Sequence, residues 1–372
     1  MRIRVLFIWL WLLFILPVYG QVTDFYSQAY LSPEASSLYE LQKKAPTFSG
    51  TLDLTLPLYT VRQGDFHLPL GLSYDSGGNG VESIAPWTGL GWNLVGLPRI
   101  SRQVRGLPDE GPGGVFYKYG GKTLEEYVAH TTSGEYINQV ILINEGELDT
   151  QSDIFYLSIP GFTGKFYWDQ TSSSFLTEEM STLQITYQST PGVFTVVDNG
   201  GVHYSFTIKE DVIVPTSLNP SNRVVTSWLA SEIQHPSMHA PITIGYSEQN
   251  HVYLKNDIQY KYLLTYISNA NPNPILSDRY DVSLISAKAR YPSTLIWAEG
   301  KVDFIPSTGF REDLNGGKSL SAIEVRDGGN VLVDKFEFTY SYLTGSGESS
   351  YGSNKWMLLS SLKLLENFKA VL

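Results

Sequence analysis

Leu72-Ser73-Tyr74-Asp75-Ser76-Gly77-Gly78-Asn79-Gly80, then Trp87-Thr88-Gly89-Leu90-Gly91-Trp92-Asn93-Leu94, then Pro98-Arg99-Ile100-Ser101-Arg102, is the stretch on which the reading of this chain turns. Its first residues complete an alternation of Phe66, Leu68, Leu70, Leu72 and Tyr74, which puts large side chains on one face of a strand. Upstream, Leu52, Leu54, Leu56 and Leu58 alternate with Thr51, Asp53, Thr55 and Pro57, giving a second strand with one buried face. The short turn at Gln63-Gly64-Asp65 joins the two runs as a β-hairpin. Pro57 and Pro69 lack ladder donors, which places them at edges or facing away from a partner strand. Glycines beside an indole allow backbones to approach it closely, and such an aromatic-glycine cluster locks one hairpin against the next.

Strand signals recur along the chain: Gln139 to Ile143, Ile154 to Ile159, Lys165 to Trp168, Leu183 to Tyr187, Val193 to Val197, Val202 to Ile208, Ile242 to Tyr246, Leu295 to Phe304 and Val331 to Tyr342. Asp198-Asn199-Gly200-Gly201 reads as a tight hairpin turn in which Asn-Gly supplies the positive φ angles. Helix signals are confined to Ser32-Pro33-Glu34, in a polar leader at 21–47, and to the capping box Thr123-Leu124-Glu125-Glu126. The expected fold is all-β, mainly antiparallel sheet, hairpin-rich and shell- or sandwich-like, with one or two short helices. Lys209-Glu210-Asp211 and the prolines from Pro215 to Pro220 interrupt the strand rhythm. They divide a β-rich module at 48–210 from a second β-rich segment at 211–372, which can be continuous with the first.

Arg2 and Arg4 precede an apolar run from Val5 to Leu16 that ends in Pro17-Val18-Tyr19-Gly20, which reads as a secretory signal peptide with Gln21 as the mature amino terminus. The run is shorter than the ~20 residues of a spanning helix, so an exported chain, secreted or at the cell surface, is expected rather than a transmembrane one. No cysteine is present, which excludes an acylated-cysteine anchor and a disulfide framework and leaves stability to the core. Removal of residues 1–20 leaves 24 Lys+Arg against 37 Asp+Glu, a formal charge of −13 that disfavours nucleic acid as a partner. The 24 tyrosines suit half-buried strands.

Chemistry-bearing patterns are sparse. There is no Gly-x-Ser-x-Gly elbow and no thiol. His235 and His239 have the spacing of a zinc helix, but Pro236 puts them in a loop. Glu145, Glu147, Asp149 and Asp153 offer oxygen ligands for calcium or a glycosidase acid pair, although their spacing is not that of an EF-hand and a solvated acidic loop is the plainer reading. Trp168, Trp228, Trp297 and Trp356 could stack on sugars, against packing within strands. Gly111-Pro112-Gly113-Gly114 reads as a turn. No catalytic, cofactor-binding or metal-binding residue is expected.

The opening block resembles the amino-terminal signature of Rhs/YD-repeat proteins, which also begins the B component of insecticidal toxin complexes and related plasmid virulence proteins. The positions that carry the likeness are Tyr74, Gly80, Trp87, Gly89, Gly91, Trp92 and Arg102, expected to be structural. It continues through Val104-Arg105-Gly106-Leu107-Pro108-Asp109-Glu110, Asp153-Ile154-Phe155-Tyr156 and Gly161-Phe162-Thr163-Gly164-Lys165-Phe166. It returns at Arg311-Glu312-Asp313-Leu314 and at Phe336 to Tyr342. The resemblance implies the start of a long β-shell around a carboxy-terminal toxin. This chain lacks the tandem Tyr-Asp repeats, the core motif and the variable tail, so a fragment of such a protein and a module acting alone are both open. The expected function is an exported, non-enzymatic structural or interaction module. Its partner would be a downstream YD-repeat or toxin polypeptide, or a surface glycan. The alternative is a carbohydrate-binding β-domain or glycoside-acting enzyme.

Overall fold

The computed structural model describes residues 53–75, 83–116, 138, 140–143, 145, 147–179, 181–213, 223–264, 275–346 and 354–366. The expected signal peptide, the leader with its Ser32-Pro33-Glu34 helix start, Gly80 and the Thr123 to Glu126 capping box lie outside these residues. A three-stranded sheet has the order β1 (Asp53–Gln63), β2 (Phe66–Asp75), β3 (Trp92–Val95). The second sheet begins with β4 (Arg99–Gln103), β5 (Ile154–Ile159), β6 (Phe162–Asp169), β7 (Ser174–Thr177), β8 (Gln184–Gln188), β9 (Val193–Val197) and β10 (His203–Ile213). It continues through β11 (Arg223–Gln234), β12 (Ile242–Leu264), β13 (Ile275–Trp297), β14 (Gly300–Pro306), β15 (Leu320–Asp327), β16 (Leu332–Thr344) and β17 (Lys355–Glu366). Its main path runs β17-β16-β15-β14-β13-β10-β11-β4-β5-β6-β7. Every described pairing is antiparallel, so the protein is all-β and hairpin-rich.

Strand β2 buries Phe66, Leu68, Leu70 and Leu72 and exposes His67 and Pro69, as the alternation requires. Its partner β1 departs from the expected pattern. Leu54 is exposed, Leu56 and Leu58 are only half-buried, and Val61 and Gln63 are buried instead. The cause is a register shift between Pro57 and Tyr59. An extra residue in one strand exchanges the faces of all residues beyond it.

Strand β10 forks the large sheet. Along one edge it pairs with β11, while its other edge pairs first with β9 and then, from Asp211, with β13. Because β11 also pairs with β12, and β12 with β13, these four strands form a closed circuit of ladders. The interruption read at Lys209-Glu210-Asp211 lies inside β10, at a bulge between Glu210 and Asp211.

Two further expectations change. Gln139 to Ile143, read as a strand, is helical at 138 and 140–143, with Glu145 N–H bonded to the Ile141 carbonyl at 2.8 Å. A short apolar run without alternation does not distinguish the two states. At the Asp198 turn the positive φ belongs to Gly201 (74°), while the Asp198 carboxylate accepts N–H bonds from Gly200 (2.8 Å) and Val202 (3.0 Å). A side-chain acceptor thus shapes a longer loop in place of the tight Asn-Gly turn.

Candidate functional site

The signature block begins on the small sheet, where Tyr74 pairs with Trp92 and their rings lie 4.9 Å apart. Gly91 has φ +78°, and a Cβ there would meet the Tyr74 ring at 2.8 Å. The turn just before it reaches across the molecule. Leu90 N–H bonds the Met357 carbonyl of β17 at 2.8 Å, Leu320 N–H of β15 bonds the Trp87 carbonyl at 3.2 Å, and the buried Trp87 ring lies 4.9 Å from Tyr291 of β13. Gly89 has φ +101° and admits the β17 backbone, since a Cβ would stand 2.8 Å from Leu359 N. The aromatic-glycine cluster was expected to lock one hairpin to the next; it joins the small sheet to strands far along the chain.

Arg99 and Arg102 point to opposite ends of the same problem, the burial of charge. Arg99 pairs with Glu210, which is buried, and donates to Ser227 Oγ at 3.0 Å. The other oxygen of Glu210 accepts the Arg290 N–H of β13 at 2.9 Å. The Glu210 carboxylate therefore satisfies a backbone donor at the point where the β10–β13 ladder ends. The bulge that turns Glu210 inward is what lets the sheet fork.

Arg102 is fully buried. Its guanidinium pairs with Glu110 and, at 3.3 Å, with Asp153, donates to the Val225 carbonyl of β11, and lies 5.0 Å from the Trp228 ring centre. Asp153 accepts the N–H of Arg105 at 2.8 Å and of Asp109 at 3.2 Å, and the Asp109 carboxylate accepts the Asp153 N–H at 3.1 Å in return. Burial pushes the Asp109 carboxyl up to about 9, reinforced by the neighbouring Asp153 charge. Burial likewise pushes Asp153 up to about 7, against the pull of Arg102. Asp149 is raised by burial too, while accepting the N–H of Leu107 and of Gln151. Two fully buried carboxyl groups, Asp109 and Asp153, against one guanidinium that also pairs with Glu110 exceed what a dry site holds ionised.

A third cluster joins Arg311 to Asp313 at 2.7 Å. Arg311 also donates to the carbonyls of Ala85 (2.8 Å) and Pro86 (3.2 Å), and Asp313 accepts the Met357 N–H at 3.1 Å. It thereby ties the Trp87 turn to β17. Next to it His251 is wholly buried, stacked on Tyr291 with ring centres 5.6 Å apart, and burial, then the Arg311 charge, lowers its pKa to about 3.

The other sequence candidates separate. His235 and His239 lie in the β11–β12 loop, where the His235 ring bonds Ser237 Oγ at 2.7 Å. Of the acidic run, Glu145 and Glu147 are exposed, while Asp149 and Asp153 hold backbone amides. Among the described residues no group of three or more His, Cys, Asp or Glu side chains is arranged to hold a metal ion, and no helix is long and apolar enough to cross a membrane. Trp228 and Trp297 are core residues, and the Trp228 indole donates to the Gly192 carbonyl at 3.0 Å; Trp168 and Trp356 are half-buried. Gly111 to Gly114 forms the expected turn, with Gly113 at φ +79°. Sequence reasoning missed Glu210, His251 and the pairing of Arg311 with Asp313. For Glu210 and His251, inside β10 and β12, the available signal was an ionisable residue in an otherwise strand-like run; Arg311 and Asp313 lie in the connection between β14 and β15.

No family model matches the chain, and no curated protein matches it. Among solved structures it is similar to the N-terminal domain of the effector protein SpvB from Salmonella typhimurium strain LT2. The identity is 13%, over 84% of this chain and 98% of that one, with a TM-score of 0.43.

Proposed function

We propose that this chain is an exported, non-catalytic structural and interaction module of the Rhs/YD-repeat kind, a β-wall that docks a further β-rich polypeptide. The observation that carries the reading is where the signature's side chains go. Trp87, Arg99 and Arg102 are buried and hold strands to one another, and their ionisable partners Glu210, Asp109 and Asp153 are buried with them. The docking half of the reading is supported by the far end of β17: past Leu359, where the Trp87 turn no longer lies against it, no strand among the described residues pairs with its outer edge, and Leu364 and Leu365 are 49% and 47% exposed. An open edge strand with apolar side chains is a template for strand addition. Sedimentation velocity of the chain from Gln21 to Leu372 is expected to show association that grows with concentration and disappears in Leu364→Lys/Leu365→Lys. A monomer at every concentration would remove the docking half. Amino-terminal sequencing of the secreted product, expected to begin at Gln21, tests export.

A carbohydrate-binding reading is favoured by one feature, a surface groove of about 440 Å³ walled by Tyr167, Trp168, Lys165, Asp169 and Glu178. Aromatic faces beside hydrogen-bonding side chains suit a sugar ring. A glycan array response that Trp168→Ala abolishes would establish it, and a flat response would remove it.

A further inference from the structure

Beneath the Trp87 turn lies a cavity with about 60 Å³ of room for the centres of water-sized atoms. Prolines, leucines and tyrosine rings make most of its wall, and the nitrogen-bearing side chains in the wall are those of Trp87, Asn93, Arg99 and Arg290. Two wall hydroxyls are already committed as donors, Thr88 to the Trp92 carbonyl at 2.7 Å and Tyr246 to the Ala230 carbonyl at 2.9 Å. Trp87 and Asn93 differ from these. They are 3% and 2% exposed, yet the indole Nε1–H and the amide Nδ2 have no acceptor among the described residues. Buried donors are ordinarily satisfied, and two orphans on the wall of one cavity call for an acceptor inside it.

We propose that this cavity is a binding site for a short-chain monocarboxylate. The carboxylate would accept from the Trp87 indole and the Asn93 amide, and its alkyl tail would lie against the apolar wall. One water centre needs about 10–15 Å³, so the space suits about four to six non-hydrogen atoms, the size of acetate to butyrate. An ionised carboxylate only accepts hydrogen bonds, whereas an alcohol or a primary amide brings a donor of its own. Arg99 and Arg290 stand at the wall already paired with carboxylates of the chain, Glu210 and Glu248 (2.7 Å from Arg290) respectively, so the two unpartnered donors are what would hold the anion. Arg290 and Tyr246, in the wall, are half-buried, so that side of the cavity lies near the surface. The proposal goes beyond the module reading and does not depend on it.

The test is nuclear magnetic resonance of the full chain with ¹⁵N-labelled indoles, the Trp87 signal being assigned by its loss in Trp87→Phe. Sodium propionate, propionamide and sodium chloride are titrated at matched ionic strength. Propionate is expected to move the Trp87 Nε1–H signal downfield and to saturate, with little effect of the other two, and Asn93→Leu is expected to weaken binding about tenfold. The site is overturned if propionate produces no saturable movement of that signal, or if chloride moves it equally. Equal binding of propionamide would overturn the assignment to a carboxylate. Because the decisive titration uses the unsubstituted protein, a misfolded Asn93→Leu would leave the test intact.

Discussion

Arg102 and Arg311 are both buried arginines that join distant strands, but their surroundings differ in charge: an excess of carboxyl groups at Arg102, a matched pair at Arg311. Around Arg102 stand Asp153, Glu110 and Asp109, more negative charge than one guanidinium balances. Arg311 pairs with Asp313, donates to two backbone carbonyls and lies beside the neutral His251. The first cluster favours a retained proton on a carboxyl group, and the second favours an imidazole without its extra proton. The same device, a buried guanidinium used as a strand fastener, therefore gives opposite responses to pH.

The comparison breaks most directly at Arg102. Arg102→Met leaves its carboxyl partners facing each other in a dry site and is expected to cost about 3–5 kcal/mol in urea denaturation. Arg311→Met should cost less, about 2–3 kcal/mol, because it leaves Asp313 without its counter-charge where Arg102→Met leaves both Asp153 and Glu110. A larger loss at Arg311 than at Arg102 would contradict the unequal charge balance.

The pH responses sharpen the contrast. His251 has a folded pKa near 3, below its ordinary 6.5, so its stabilising contribution is present above pH 6.5 and is lost as pH falls toward 3. His251→Gln should remove about 2 kcal/mol of that acid-side loss at pH 5, read from denaturation curves at pH 5 and 7. The Asp109 and Asp153 carboxyls have folded pKa values raised from 3.8 to about 9 and about 7. Their protonated forms contribute fully below about pH 4, and that contribution is lost as pH rises through 7 and then 9. Asp109→Asn mimics the protonated form and should gain on the parent progressively as pH rises toward 9, with little difference at pH 4. An unchanged slope between pH 5 and 9 would show that the carboxyl cluster is not its source.

Much of the sheet was legible in the residues. The alternation from Phe66 to Leu72 gave β2 and its buried face, and Val193 to Val197 coincides with β9. The long pair β12 and β13 was legible only at its start, Ile242 to Tyr246, and its end. Farther along, Lys255-Asn256-Asp257 breaks the alternation, and the ladder shifts register between Asn256 and Ile258. In the signature block, the glycines and tryptophans announced close backbone approach. Their targets, Tyr291, Leu320 and Met357, lie far away in the chain and carry no mark of that role.

The sequence by itself determined strands such as β2 and β9 and the places where the chain turns, because alternation and turn residues act over a few residues. Only the tertiary structure decided which charges are buried and what each one holds. A guanidinium or carboxylate can leave water only where a counter-charge or a free backbone group meets it, and for Arg99 and Glu210, or Arg102 and Asp153, that meeting is made by strands brought together from different parts of the chain.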